Sequence, residues 1–267
     1  RRKMRPQGLK NLNPLPMKHE PYIYPEGEWM NKRAGSFTSS QIGCLFTEPR
    51  SKADKEAGNL SETAKTYIMQ KVSELLTGTI RNSYQTPEMQ WGLEQEPYAI
   101  ELLKENYTDL VYYGAENPKF FEYSQFSGGS PDAVSNNIVF EIKCPNPATH
   151  IEYLLCENDL KGYNKDYWYQ LQMNMACVAK AIGFDVMKMQ GIFASYCPLM
   201  IESKLRLHTF VVSPDEEFQS KFPEVISKAE QHLRTIIDKF NLRYQAHIIS
   251  FGITLTGSCR LDYNRQS

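Results

Sequence analysis

Residues 130–145 read Ser-Pro-Asp-Ala-Val-Ser-Asn-Asn-Ile-Val-Phe-Glu-Ile-Lys-Cys-Pro, and Asp132, Glu141 and Lys143 within them can do acid, base or metal chemistry. Asn136-Asn137 is a turn signal between two short runs of β-forming residues, so the stretch predicts a hairpin. With the asparagines at the turn, Ser135 pairs with Ile138, Val134 with Val139, Ala133 with Phe140, and Asp132 with Glu141. Directly opposed residues stand roughly 4.5–5.5 Å apart at Cβ, where like charges repel, so two acids there make physical sense chiefly with a cation between them. Alternation along the second strand puts Glu141 and Lys143 on one face and Phe140 and Ile142 on the other. Carboxylate oxygens suit Mg²⁺ or Mn²⁺, and a lysine beside the ion can position an attacking water. This is a metal-dependent hydrolase site in outline; on these residues alone the alternative is an exposed hairpin with an ordinary Asp, Glu and Lys.

Two helices are expected to support the hairpin. Thr86-Pro87 reads as a cap and first helical position, and Met89, Leu93, Ile100, Leu103 and Tyr107 then recur as an inward stripe. Glu96 falls on that stripe, whereas Glu94 and Glu101 fall off it. A core-facing carboxylate is costly without a partner, which makes Glu96 a candidate for the same site. Pro97 predicts a kink or short break beside it; a helix ending there, with Glu96 exposed, is the other reading. A second helix, over residues 166–181, carries Leu171, Met175, Val178 and Ile182 inward, with Gln170 close to the stripe. By itself Gln170 reads as a surface residue.

The remaining elements form a frame. Residues 1–27 lack a period and predict an extended arm, and Thr38-Ser39 can cap a short helix carrying Ile42, Leu45 and Phe46, stopped by Pro49. Residues 50–60 read as a loop, and a helix with Ala64, Ile68, Val72 and Leu75 on one stripe ends at Gly78. Segments 120–123 and 125–134 read as strands leading into the hairpin, and Ile151, Leu154 and Leu155 mark a short helix after Pro147. Segments 186–196 and 205–212 read as further strands. A last helix starts at Ser213-Pro214, is interrupted near Pro223 and runs to Phe240, and residues 248–255 look strand-like. The pattern predicts an α/β fold: a central mixed β-sheet flanked by helices on both faces.

Composition narrows the function classes. At 267 residues, with 41% hydrophobic and 23% charged residues, the chain is ordinary globular protein. It has no apolar run of bilayer length and opens on Arg-Arg-Lys without an apolar signal core, so a soluble intracellular protein with no membrane partner is expected. Six cysteines without Cys-x-x-Cys spacing argue against a zinc site or iron–sulfur cluster. The five histidines show no ligand spacing, and no Gly-rich phosphate-loop sequence occurs. A formal charge of −1 gives no global sign of a nucleic-acid partner, although a groove needs only a local positive lining. Basic residues gather at the N-terminus, at Lys32-Arg33, and at Arg50, Lys52 and Lys55.

Taken together, the motifs resemble the PD-(D/E)xK nuclease superfamily, in particular its phage lambda exonuclease or YqaJ-like viral recombinase branch. The likeness covers residues 29–240, taken as the nuclease domain, between an N-terminal arm (1–28) and a C-terminal extension (241–267). Residues 29–40, W-M-N-K-R-A-G-S-F-T-S-S, are similar to the family's opening segment and imply Arg33 and Ser40 as 5′-phosphate ligands. W-G-L-E-Q-E at 91–96 matches a helix supplying an additional acid, which implies Glu96. Gly129-Ser130-Pro131-Asp132 implies Ser130 in the phosphate pocket and Asp132 on metal, and Glu141-Ile142-Lys143-Cys144-Pro145 adds the Ile142 carbonyl as a ligand. Y-W-Y-Q-L-Q at 167–172 implies Gln170 as support for Lys143, and Arg50, after Pro49, matches a basic residue of the family that guides the strand.

What the resemblance implies is a 5′→3′ exonuclease acting on linear double-stranded DNA ends and leaving 3′ single strands for a single-strand annealing protein. It further implies a ring-shaped homotrimer, and a location in the host cytoplasm for a phage protein or the nucleus for one from a eukaryotic virus. The cofactor implied is Mg²⁺, two ions per site, with Mn²⁺ also supporting activity. Asp132 would bridge the ions, Glu141 and the Ile142 carbonyl hold one, Glu96 support the other, and Lys143 orient the water with Gln170 behind it. Two alternatives stay open: an endonuclease of the same superfamily, and a DNA-end-binding recombination protein with a weak site.

Overall fold

The computed structural model describes residues 28–250 apart from 79, 81–85 and 157, with side chains only between residues 29 and 240. The chain runs from helix α1 (Glu28–Arg33) through strand β1 (Phe37–Thr38) and a 3-10 helix (Ser39–Phe46) to helices α2 (Lys52–Glu56), α3 (Glu62–Thr77) and α4 (Pro87–Lys104). Strands β2 (Val111–Tyr112), β3 (Phe121–Ser124), β4 (Ser127–Gly129), β5 (Ala133–Ser135) and β6 (Ile138–Lys143) follow. Helices α5 (Pro147–Leu155), α6 (Leu160–Tyr163) and α7 (Lys165–Ile182), strands β7 (Gln190–Tyr196) and β8 (Leu207–Val212), and helix α8 (Glu216–Ser250) complete the order.

The hairpin forms as its turn residues dictate. Asn136 takes a left-handed φ of 49°, which asparagine tolerates, and the ladder pairs Ser135 with Ile138, Val134 with Val139 and Ala133 with Phe140. This β5–β6 hairpin lies inside a five-stranded sheet of order β2-β5-β6-β7-β8, in which β6 and β7 run parallel and the other pairs antiparallel. A separate three-stranded sheet has the order β1-β4-β3. The single strand expected over 125–134 is therefore two strands in two sheets. Ser130-Pro131-Asp132 separates them, because a proline cannot donate to a ladder.

Two cores sandwich the larger sheet. On one side Ala99, Ile100 and Leu103 of α4 pack on Phe140, Ile142, Ile192 and Ala194. On the other, α7 is buried nearly all round from Trp168 to Ala179, and Leu171 and Met175 join Val139, Phe193 and Phe210 in one cluster. Helix α7 is fixed at both ends, where Asn164 Oδ1 accepts from the Tyr167 N–H at 3.2 Å and Gly183 closes it in the left-handed region. Gln172 on this helix donates to the Ser213 carbonyl and accepts from the Asp215 N–H, tying α7 to the approach to α8.

Several expectations are corrected. The short helix expected after Thr38 is a 3-10 helix, whereas the loop at 50–60 contains α2, capped by Ser51. Short 3-10 turns precede β7 and β8, so those strands begin later than expected. Helix α4 runs unbroken past Pro97, and α8 past Pro223. In α4 the first half of the expected stripe is not core: Met89 and Leu93 are exposed, and only Ile100 and Leu103 are buried. Pro97 thus falls where the helix emerges from the sheet, and the carbonyl it leaves without a helical donor lies in a half-exposed stretch. Ile151, Leu155 and Ile182 are likewise exposed. The arm at 1–27 lies outside the described residues, as does all but the start of the run at 248–255, and residues 248–250 are helical.

Candidate active site

The site forms where the hairpin, α4 and α7 meet. Asp132 immediately precedes β5, and the Asp132–Glu141 pairing expected from the register is not part of the ladder, which ends at Ala133 and Phe140. The Asp132 N–H still donates to the Phe140 carbonyl at 3.1 Å, but the Ile142 N–H donates to Asp132 Oδ2 at 2.6 Å. A side-chain carboxylate has taken the place of a backbone acceptor. The Ile142 carbonyl lies between the two strand residues that carry charge.

Glu141 is 1% exposed and accepts from three side chains. Gln170 Nε2 reaches its Oε1 at 2.7 Å, Lys143 Nζ bonds the same oxygen, and Asn174 Nδ2 reaches Oε2 at 3.3 Å. Gln170 and Asn174 stand one turn apart on α7, so a single helix face holds both oxygens. Gln170, expected behind Lys143, instead donates to Glu141 and meets the lysine through their shared oxygen. Asn174 went unnoticed in the sequence, although an amide four residues after Gln170, between Met173 and Met175, was the available signal. Its Oδ1 is buried with no hydrogen-bond partner among the described residues. Lys143 Nζ also lies 5.4 Å from the centre of the Tyr167 ring.

Glu96 arrives from the other layer, on α4 one turn before the buried Ile100, and lies near Tyr112. Burial, then the charge of Asp132, pushes Glu96 up to about 7. The same two causes push Glu141 up to about 8, and burial raises Asp132. For Lys143 burial pulls downward, but Glu141 and Asp132 outweigh it and hold the ammonium well above its usual range. Three acids thus share one lysine, and a divalent cation supplies the charge that would reverse these shifts. Among the described residues no three His, Cys, Asp or Glu side chains form a ready cage for an ion. The donor set still fits Mg²⁺, which binds through one or two carboxylates and takes waters and substrate phosphate for the rest.

Beside the acids stands a polar cluster built by α1. Trp29 Nε1 donates to Ser130 Oγ at 3.0 Å, and the Arg33 guanidinium lies 5.0 Å from the centre of the Trp29 ring. Trp29 thereby joins two of the three expected phosphate residues. Burial lowers the Arg33 pKa, opposed by Tyr67, Glu74 and Glu141, so the arginine is within the field of the acid site. Ser40 is exposed, with its Oγ 3.4 Å from Thr38 Oγ1. Arg50 is exposed after the 3-10 helix and shares none of these contacts. His150 is structural: its Nε2 donates to the Leu205 carbonyl at 2.7 Å, which leaves Nδ1 to accept from Ser195 Oγ at 2.8 Å.

Fold and site together define a mixed α/β protein with a buried carboxylate–lysine centre at the edge of a hairpin. The sequence matches the YqaJ-like viral recombinase domain over residues 28–181, more than half of the chain, and the chain belongs to that family. The fold is similar to that of an alkaline exonuclease, LHK-Exo, from Laribacter hongkongensis: TM-score 0.62 at 22% identity, covering 82% of this chain and 97% of that one. The same protein in complex with dAMP matches equally. A phage-related exonuclease from Haemophilus somnus 129PT gives a TM-score of 0.61 at 22% identity, covering 77% and 96% of the two chains. No curated protein matches the sequence. No helix among the described residues is long and apolar enough to cross a membrane.

Proposed function

We propose that this chain is a Mg²⁺-dependent exonuclease that degrades the 5′-ended strand of linear duplex DNA, leaving 3′ single strands for recombination by annealing. One observation carries the reading: in a member of the YqaJ-like family, Asp132, Glu141 and Lys143 gather on one hairpin, and Glu96 joins their electrostatic field from α4. Two neighbours of the same fold are named exonucleases, one of them holding dAMP, which is consistent with a nucleotide-releasing site.

In this reading Asp132, Glu141, the Ile142 carbonyl and Glu96 hold two divalent ions. When bound, such ions polarise the scissile phosphate and make water a stronger nucleophile at neutral pH. Lys143 orients that water and balances charge developing on the phosphate oxygens. Gln170 and Asn174 keep Glu141 from rotating, since each of its oxygens already accepts from one of them. Arg33, Ser40 and Ser130 form a charge-assisted pocket for the terminal 5′-phosphate, which sets polarity, and Arg50 guides the strand. Residues 29–240 are the nuclease unit; a homotrimeric ring and a single-strand annealing partner belong to the same proposal.

The test is a time course on linear duplex labelled at either the 5′ or the 3′ end, with Mg²⁺, beside a covalently closed circle. Early loss of the 5′ label with the circle intact is expected. Cutting of the circle, or earlier loss of the 3′ label, would overturn the reading.

A further inference from the structure

A second buried charge pair takes no part in the chemistry above. The Lys71 and Glu74 side chains on α3 are 6% and 3% exposed, and Lys71 Nζ lies 3.0 and 3.1 Å from the two Glu74 oxygens. Removing both charges from water offsets most of their attraction, so stability alone is a weak reason for such a pair. Its neighbours suggest a stronger one. Tyr67, Lys71 and Glu74 stand at i, i+4 and i+7, along one face of α3. That face meets the segment between Arg33 and Ser40. Glu74 Oε2 accepts from the Gly35 N–H at 3.0 Å, and the Tyr67 hydroxyl accepts from the Thr38 N–H at 2.9 Å. Lys71 Nζ contacts both oxygens of Glu74 and lies 5.4 Å from the centre of the ring that carries the Tyr67 hydroxyl. Gly35 has φ +67°, and a Cβ there would stand 2.4 Å from the Leu75 side chain, so the segment is held close against α3.

We propose that Glu74, Lys71 and Tyr67 are positioning residues for the 5′-end pocket. Glu74 and Tyr67 fix the backbone that carries Arg33 and Ser40, and Lys71 holds Glu74 in place. The inference rests on the assignment of Arg33, Ser40 and Ser130 to the terminal phosphate, and it adds residues that touch neither the phosphate nor the acid site.

The measurement is kcat/KM on 5′-phosphorylated relative to 5′-hydroxyl duplex ends, with thermal melting of every variant. The apolar pair Lys71→Met/Glu74→Leu removes both charges together, which avoids stranding one of them. It should lower the ratio about tenfold, through KM on phosphorylated ends, as a displaced charge-assisted contact does, with kcat on hydroxyl ends unchanged. Lys71→Met/Glu74→Gln also removes both charges but retains an acceptor for the Gly35 N–H, and should lose less. Tyr67→Phe, which removes only a hydroxyl, tests the inference independently of the ion pair and should also lower the ratio. A folded Tyr67→Phe or double variant with the wild-type ratio, or with equal losses on both kinds of end, overturns the inference. Arg33→Ala separates the two levels. An unchanged ratio there overturns the pocket itself, whereas a collapsed ratio beside unaffected α3 variants overturns only the positioning role.

Discussion

Glu141 is surrounded by donors yet repelled by its neighbouring acids, and this conflict has a measurable signature. Without a bound cation, folded Glu141 and Glu96 keep their protons up to about 8 and about 7, against an ordinary value of 4.5. Across that window the native state binds more protons than the unfolded chain, so stability falls as pH rises. Their contribution is fully present below the unfolded value and is lost as pH passes the folded ones. The cation-free protein should therefore melt at steadily lower temperature from pH about 5 to about 8.5. Mg²⁺ or Mn²⁺ should restore stability at the alkaline end, and Glu141→Gln should flatten the slope; a melting profile insensitive to both would contradict the coupling. At this scale the sequence was readable where chemistry and periodicity agreed. The expected hairpin does bring Asp132, Glu141 and Lys143 together, although the Asp132–Glu141 pair falls outside its ladder, and Glu96 comes near them although the stripe that singled it out is exposed at Met89 and Leu93. Lys71 and Glu74 were not singled out, because a charge on a helix is ordinarily solvated and only the tertiary fold buries these two.

Helix α7 and strand β4 approach so closely that glycine is needed between them. A Cβ at Gly129 would stand 2.2 Å from Asn174 Oδ1, and α7 has little freedom to withdraw, being buried and capped at both ends. Gly129→Ala should cost about 1–3 kcal/mol by overpacking. It should also slow turnover beyond that loss, by pushing Asn174 off Glu141. Melting and rate at a temperature where the variant is fully folded would separate the two effects; an unchanged rate would show that Asn174 does not matter to Glu141. Elements bounded by local signals were legible, as with the Asn136-Asn137 turn, the Thr86-Pro87 start and the Gly78 stop, because a cap or turn is decided within a few residues. The continuation of α4 and α8 through prolines was not, since packing along the rest of each helix outweighs the lost bond. The split into two sheets was hidden for a similar reason: Pro131 marks the break, but which sheet each half joins depends on distant strands.

Across the whole molecule, the site exists only because two layers close on one sheet. Phe140 and Ile142 face the α4 core while Glu141 between them faces α7, so a single strand serves the structure on one side and the chemistry on the other. Net charge is silent about this arrangement, because the relevant field is local: three acids, one lysine and an arginine within reach. The most direct test compares wild type with Lys143→Ala for Mg²⁺-dependent release of nucleotides from linear duplex, with end binding measured on the same substrate. Binding should be nearly unchanged while release falls by about 10²–10⁴-fold, the range for loss of a group that positions the attacking water. Release by the variant at the wild-type rate would contradict the account.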